Sequence, residues 1–181
     1  MNKMRCFIAV ELPKEAVNEI AKIQQQLPKD SKFILVKPEI AHLTIKFFRE
    51  INDFQAEKIK EVMEKISFPK FKAKINSVGV FTPKFIKVVW LEIIPKENFM
   101  KIHSIIDRML SLEGFDEDKS FESHATIARV RFVNDKKEFI ENLNKINIES
   151  KEFIIDKITL KKSTLTENGP IYDDIFKINL Q

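Results

Sequence analysis

Cysteine and glycine are nearly missing from this 181-residue chain. The single cysteine, Cys6, excludes an intrachain disulfide and any metal site built on cysteine. No apolar run approaches the roughly 18 residues of a membrane span. The opening Met1 to Val10 is short, mixed and followed by Glu11, and it lacks the long apolar region and small-residue cleavage site of a secretory leader. A cytoplasmic protein without membrane contact is expected. There is no basic tail and no low-complexity tract. Three glycines in a chain rich in Lys, Glu, Ile and Phe fit either a thermophile or a biased genome.

What is present is globular. Hydrophobic residues make up 44%, and the length supports one good core or two small lobes sharing one. The net charge of +4 is compatible with an anionic partner such as RNA, although most of the lysines serve to solvate the surface.

The chain also resembles itself. His42-Leu43-Thr44-Ile45 matches His124-Ala125-Thr126-Ile127 at an offset of 82 residues (124 − 42). At the same offset Pro13-Lys14-Glu15 falls on Pro95-Lys96-Glu97, Ile20 on Ile102, Phe33 on Phe115, Asp53 on Asp135 and Phe71 on Phe153. The local patterns agree. Strands are expected at 4–11, 41–48 and 70–80, with helices over 14–27, opened by Pro13, and after Asp53 as N-cap. The second half repeats the order, with strands at 85–94, 121–131 and 151–161. Its helices follow Pro95 and the candidate cap Asp135. Asn168-Gly169-Pro170 marks a turn before a last strand at about 172–180. The expectation is an α+β fold forming a single bilobal domain over 1–181, with internal repeats at about 4–80 and 85–162. Each lobe is mainly an antiparallel sheet with helices outside, and the cleft lies between them.

Strand alternation puts His42, Thr44 and Lys46 on one face and His124, Thr126 and Ala128 on another. Two histidines in one cleft supply a proton donor and a proton acceptor near neutral pH, which phosphodiester hydrolysis requires on opposite sides of phosphorus. A threonine hydroxyl beside each can donate to a phosphate oxygen. Zinc is the competing use of the histidines, but neither motif carries a further ligand on its face; purely structural histidines are the other. His103, in the apolar stripe of the 96–112 helix, reads as a packed residue, and Cys6 as inert. Trp90 and most phenylalanines read as core, with one or two, such as Phe48, free to stack a base.

At His42-Leu43-Thr44-Ile45-Lys46-Phe47 and Ser123-His124-Ala125-Thr126-Ile127-Ala128-Arg129 the chain resembles the two-histidine (2H) phosphoesterases with their HxTx motifs. Within them it is most similar to the RNA 2′,3′-cyclic phosphodiesterases, also called 2′-5′ RNA ligases. Met4 to Ala9, Val36-Lys37-Pro38, Ser163-Thr164-Leu165 and Gly169 to Tyr172 extend the resemblance over nearly the whole chain. It implies hydrolysis of a terminal 2′,3′-cyclic phosphate on RNA to a 2′-phosphomonoester, or ligation in reverse, without metal or cofactor. His42 would be the proton donor and His124 the acceptor. Thr44 and Thr126 would hold phosphate oxygens. Arg129 matches a family arginine, yet alternation places it opposite His124, so it reaches phosphate only if the strand bulges or ends; otherwise it forms a structural ion pair. Lys46 lies on the face for phosphate, with simple solvation as its alternative. Phe48-Arg49 replaces the family's usual Leu-Gly. A monomer is expected. Open alternatives are another cyclic or 2′-linked nucleotide as substrate, or a non-catalytic nucleotide- or RNA-binding module.

Overall fold

The computed structural model describes residues 3–149, 151–167 and 169–181. In chain order the first repeat forms β1 (Met4–Glu11), α1 (Lys14–Gln25), β2 (Lys32–Leu35), β3 (His42–Ile51), α2 (Asp53–Glu64) and β4 (Phe71–Gly79). The second forms β5 (Val88–Ile94), α3 (Lys96–Leu112), β6 (Ala125–Phe132), α4 (Lys136–Leu143), β7 (Phe153–Ile155) and β8 (Lys157–Thr166), and β9 (Gly169–Asn179) closes the chain. The strands form one antiparallel sheet in the order β7-β4-β5-β6-β3-β1-β8-β9, with β2 also paired to β6.

The two motif strands meet at one residue pair, Leu43 opposite Ala125. These residues are themselves 82 apart (125 − 43), so the seam joins equivalent positions of the two repeats and marks a pseudo-twofold axis. Continuing that antiparallel register sets His42 opposite Thr126 and Thr44 opposite His124.

The repeats are interwoven about this axis. β4, from the first repeat, pairs with β5 of the second, and β8, from the second, pairs with β1 of the first. The helices cross in the same sense: α1 packs against β6, and α3 against β3. Each half of the sheet is thus built from both repeats. α3 shows why its sequence is helical there. Phe99, Ile102, His103, Ile106 and Leu110 recur at helical spacing and are all buried. Complete burial of one such Phe or Ile is worth about 1.5–3 kcal/mol.

Several boundaries differ from the pattern reading. The cap of α2 is Asn52 rather than Asp53: its side chain accepts from the Gln55 N–H, and the Gln55 side chain accepts from the Asn52 N–H, a full capping box. Asp135 caps α4, accepting from the N–H groups of Lys137 and Glu138. The expected 151–161 strand is two strands, because β7 pairs with β4 in one half of the sheet and β8 with β1 in the other. β2 has no alternation to signal it. Its register comes from β6, with Ile34 opposite Arg129. The expected 168–170 turn includes Asn168, which lies outside the described residues; Gly169 there has φ 111°, a backbone that favours glycine.

Candidate active site

Each motif strand carries a β-bulge at the same repeat position. On β3, Ile8 pairs with Lys46 and Ala9 with Thr44, leaving Ile45 as the extra residue. On β6, Val89 pairs with Ala128 and Trp90 with Thr126, leaving Ile127 extra. A bulge reverses the alternation beyond it. Ile45 and Lys46 therefore both turn inward, as do Ile127 and Ala128. Phe47 and Arg129 come out on the face of the histidines. The β6 bulge is held from below by Gln24, whose amide donates to the Ile127 and Val36 carbonyls at 2.8 and 2.7 Å.

This gives a cavity of about 370 Å³ whose lining includes His42, Thr44, Phe47, His124, Thr126 and Arg129. Five of the six residues singled out from sequence thus share one site, and Arg129 reaches it by the bulge. Lys46 does not. The same bulge turns it into the core, 3% exposed, where its ammonium pairs with Asp107 and Asp118 and donates to the Asp116 carbonyl. The expectation that Lys46 faces phosphate is corrected on that ground. Phe48 is likewise buried against Phe115, and Phe47 takes the cleft position instead. Arg129 forms no ion pair among the described residues.

The two imidazoles are anchored identically. Nδ1 of His42 lies 2.8 Å from the Ile40 carbonyl, and Nδ1 of His124 lies 2.7 Å from the Glu122 carbonyl. A carbonyl only accepts, so Nδ1 carries the hydrogen and Nε2 is the nitrogen left free in both rings. Such a nitrogen accepts a proton when the ring is neutral and donates one when it is charged. The surroundings differ. His42 stacks on Phe7 at 4.7 Å and meets the edge of Tyr172 at 5.2 Å. Burial pulls its pKa below the ordinary value; the Ile40 carbonyl opposes this, the Lys161 charge adds to it, and the smaller effects of Glu11 and His124 oppose each other. His124 is held edge-on by Phe81 at 4.7 Å.

Phe81 leans in turn on Trp90, and Trp90 packs across Gly79. A Cβ at Gly79 would stand 2.9 Å from the indole ring. Gly79→Ala is expected to cost about 1–3 kcal/mol through this overlap. Urea denaturation beside the wild type measures it.

His103, Asp107 and Asp118 cluster closely enough to hold a metal ion. The Lys46 ammonium already sits against both carboxylates, and His103 is stacked on Phe121 at 4.2 Å. The cluster is not part of the cleft lining. Burial pushes the Cys6 thiol up to about 11, away from reactivity. Phe7, Tyr172, Arg5 and Ser163 also line the cleft without having been given roles from sequence. Their signal lay in the similar first strand and in the Ser163 and Tyr172 segments, where residue types matched but no periodicity marked a function.

A LigT-like phosphoesterase family model matches residues 10–90 and again 92–172, reproducing the offset of 82. The chain belongs to the LigT-like phosphoesterases. It is 37% identical over 175 residues to the RNA 2′,3′-cyclic phosphodiesterase of Methanocaldococcus jannaschii, covering 95% of this chain and 98% of that one. It is 30% identical over 178 residues to the protein of the same name from Methanothermobacter thermautotrophicus, covering 96% and 97%. The crystal structure of TT0787 of Thermus thermophilus has the same fold, with a TM-score of 0.80 at 22% identity over 98% of each chain. Both HxTx motifs of this LigT-like phosphoesterase are intact. No helix among the described residues is long and apolar enough to cross a membrane.

Proposed function

We propose that this LigT-like phosphoesterase hydrolyses a terminal 2′,3′-cyclic phosphate on RNA to a 2′-phosphomonoester. The observation that carries the reading is the pair of imidazoles, each fixed through Nδ1 to a carbonyl, presenting Nε2 to one cavity across the Leu43–Ala125 seam. Its relatives of 37% and 30% identity carry the matching name.

In the proposed step, His124 Nε2 takes a proton from water as the water oxygen bonds to phosphorus. The bond from phosphorus to the 3′-oxygen breaks, and His42 Nε2 gives that oxygen its proton. Thr44, Thr126 and Arg129 donate hydrogen bonds to the non-bridging oxygens, whose charge grows in the transition state. The product keeps phosphate on the 2′-oxygen and a free 3′-hydroxyl. Proton exchange with solvent restores both rings. Phe47 offers a face for the terminal base.

The roles can be tested by placing sulfur at the 3′-bridging position. A thiolate leaves without a proton. His42→Ala should then recover most of its lost rate on the sulfur substrate, and His124→Ala should not. Recovery by His124→Ala alone would reverse the assignment.

A pH profile follows from the burial of His42. As donor it must be protonated, so a lowered pKa makes it lose its proton, and activity, at lower pH. The descending limb of kcat/KM, which reports the free protein, is expected below the ordinary value of 6.5. The limb of kcat should lie higher, because bound phosphate favours the charged ring. Rate measurements across pH 4–9, roughly the span of both imidazole forms, check both limbs.

A further inference from the structure

We infer that the far end of β6 and the loop before β5 form a second RNA-binding surface, which holds the strand 5′ of the reacting terminus. The loop of residues 80–87 leaves the cleft at Phe81, against the His124 ring, and ends at Lys87, whose carbonyl accepts from the Val130 N–H. β6 leaves the cleft at Arg129, and just beyond it the pairing with β2 shifts between Val130 and Phe132, leaving Arg131 as the extra residue, exposed at the far end of the strand. Both paths lead to a hollow of about 280 Å³. Its rim carries Lys84, Lys87, Arg131 and Lys136, all exposed. Among the described residues none of these four forms an ion pair, and no carboxylate lines the hollow. The adjacent carboxylate, Asp135, is engaged by the backbone at the start of α4.

Two phenylalanines stand among these cations: Phe85 is 72% exposed and Phe132 51%. Exposed aromatic faces interleaved with unpaired cations are what a single strand needs, bases stacking on rings while phosphates meet ammonium and guanidinium groups. A protein partner would be expected to bring carboxylates to such a rim. The hollow shares no lining residue with the cleft, but it lies on both segments that run from it, β6 and the 80–87 loop, and this favours the substrate's own strand. Lys136 also donates to the Lys84 carbonyl at 2.7 Å, which fixes the loop over α4 and holds the surface in place.

The inference rests on the proposed RNA substrate, and two substrates separate the claims. A nucleoside 2′,3′-cyclic phosphate reaches only the cleft; an RNA of about ten nucleotides with the same terminus also reaches the hollow. Combined Lys84→Ala, Lys87→Ala and Arg131→Ala should leave kcat/KM for the mononucleotide unchanged. On the RNA, kcat/KM should fall roughly tenfold or more at low salt. The slope of its logarithm against log salt should become shallower by about 0.7 for each phosphate the protein no longer neutralises. Phe85→Ser with Phe132→Ser should lower the RNA rate alone, by roughly tenfold. The surface is disproved if both substrates are unaffected, or if both slow equally in a variant with a wild-type melting curve. Should the wild type turn over neither substrate, the functional reading fails, and fluorescence anisotropy with RNA ending in a 3′-phosphate decides the surface. Weaker binding by the threefold variant supports it; equal binding overturns it.

Discussion

His42→Ala and His124→Ala are each expected to lower kcat/KM for a 2′,3′-cyclic phosphate by about 10²–10⁴, the range for loss of a general acid or base. The expectation follows from geometry shared by both rings. Each imidazole is held by a carbonyl two residues earlier in its own chain, at 2.8 and 2.7 Å, so Nε2 is aimed by the backbone itself. Alanine removes the proposed proton carrier; at His42 it also gives up the stacking on Phe7, but neither histidine belongs to the hydrophobic core. Circular dichroism should show folded variants. The double variant should lose much less than the product of the single losses, since the proposed acid and base would act in one transition state. A single variant with near wild-type kcat/KM would remove that histidine from the chemistry.

Lys46→Ala is expected to act on the fold instead, costing about 3–5 kcal/mol, as when one partner of a buried ion pair is removed. The side chain is 3% exposed, and its ammonium joins Asp107 of α3, Asp118 and the Asp116 carbonyl. Those interactions tie β3 to α3 and to the 116–118 loop beneath the first motif. Among the described residues, removing the cation leaves Asp107, itself 13% exposed, with only the Asp118 N–H at 3.3 Å. Urea denaturation should show the loss, while kcat per folded molecule stays close to wild type. The opposite result, unchanged stability with lost activity, would return Lys46 to the phosphate.

The repeat made much of this legible. A fixed offset located both histidines, both threonines and the strand–helix–strand order from residue types alone. What it did not show is where the alternation fails. With strict alternation Arg49 on β3 and Arg129 on β6 fall on the apolar face, a conflict visible in both strands. The bulges at Ile45 and Ile127 resolve it, exposing both arginines and burying Lys46 and Ala128. Bulge position depends on the neighbouring strand and on supports such as Gln24, which are non-local. The interweaving of β4 and β8 was hidden for the same reason: hydrophobic pattern says which face of a strand is buried, not beside which strand it lies. Asn52 was a closer miss. Asn52 with Gln55 three residues on is a capping-box signature, and Asp53 beside it is an equally good cap by residue type.

The most direct test is to incubate the wild-type protein, in excess chelator, with a short RNA ending in a 2′,3′-cyclic phosphate and to separate the 2′- and 3′-phosphate products. A two-histidine mechanism with His42 at the 3′-oxygen requires continued turnover and only the 2′-phosphate. Turnover that stops with chelator, or a 3′-phosphate product, would contradict it.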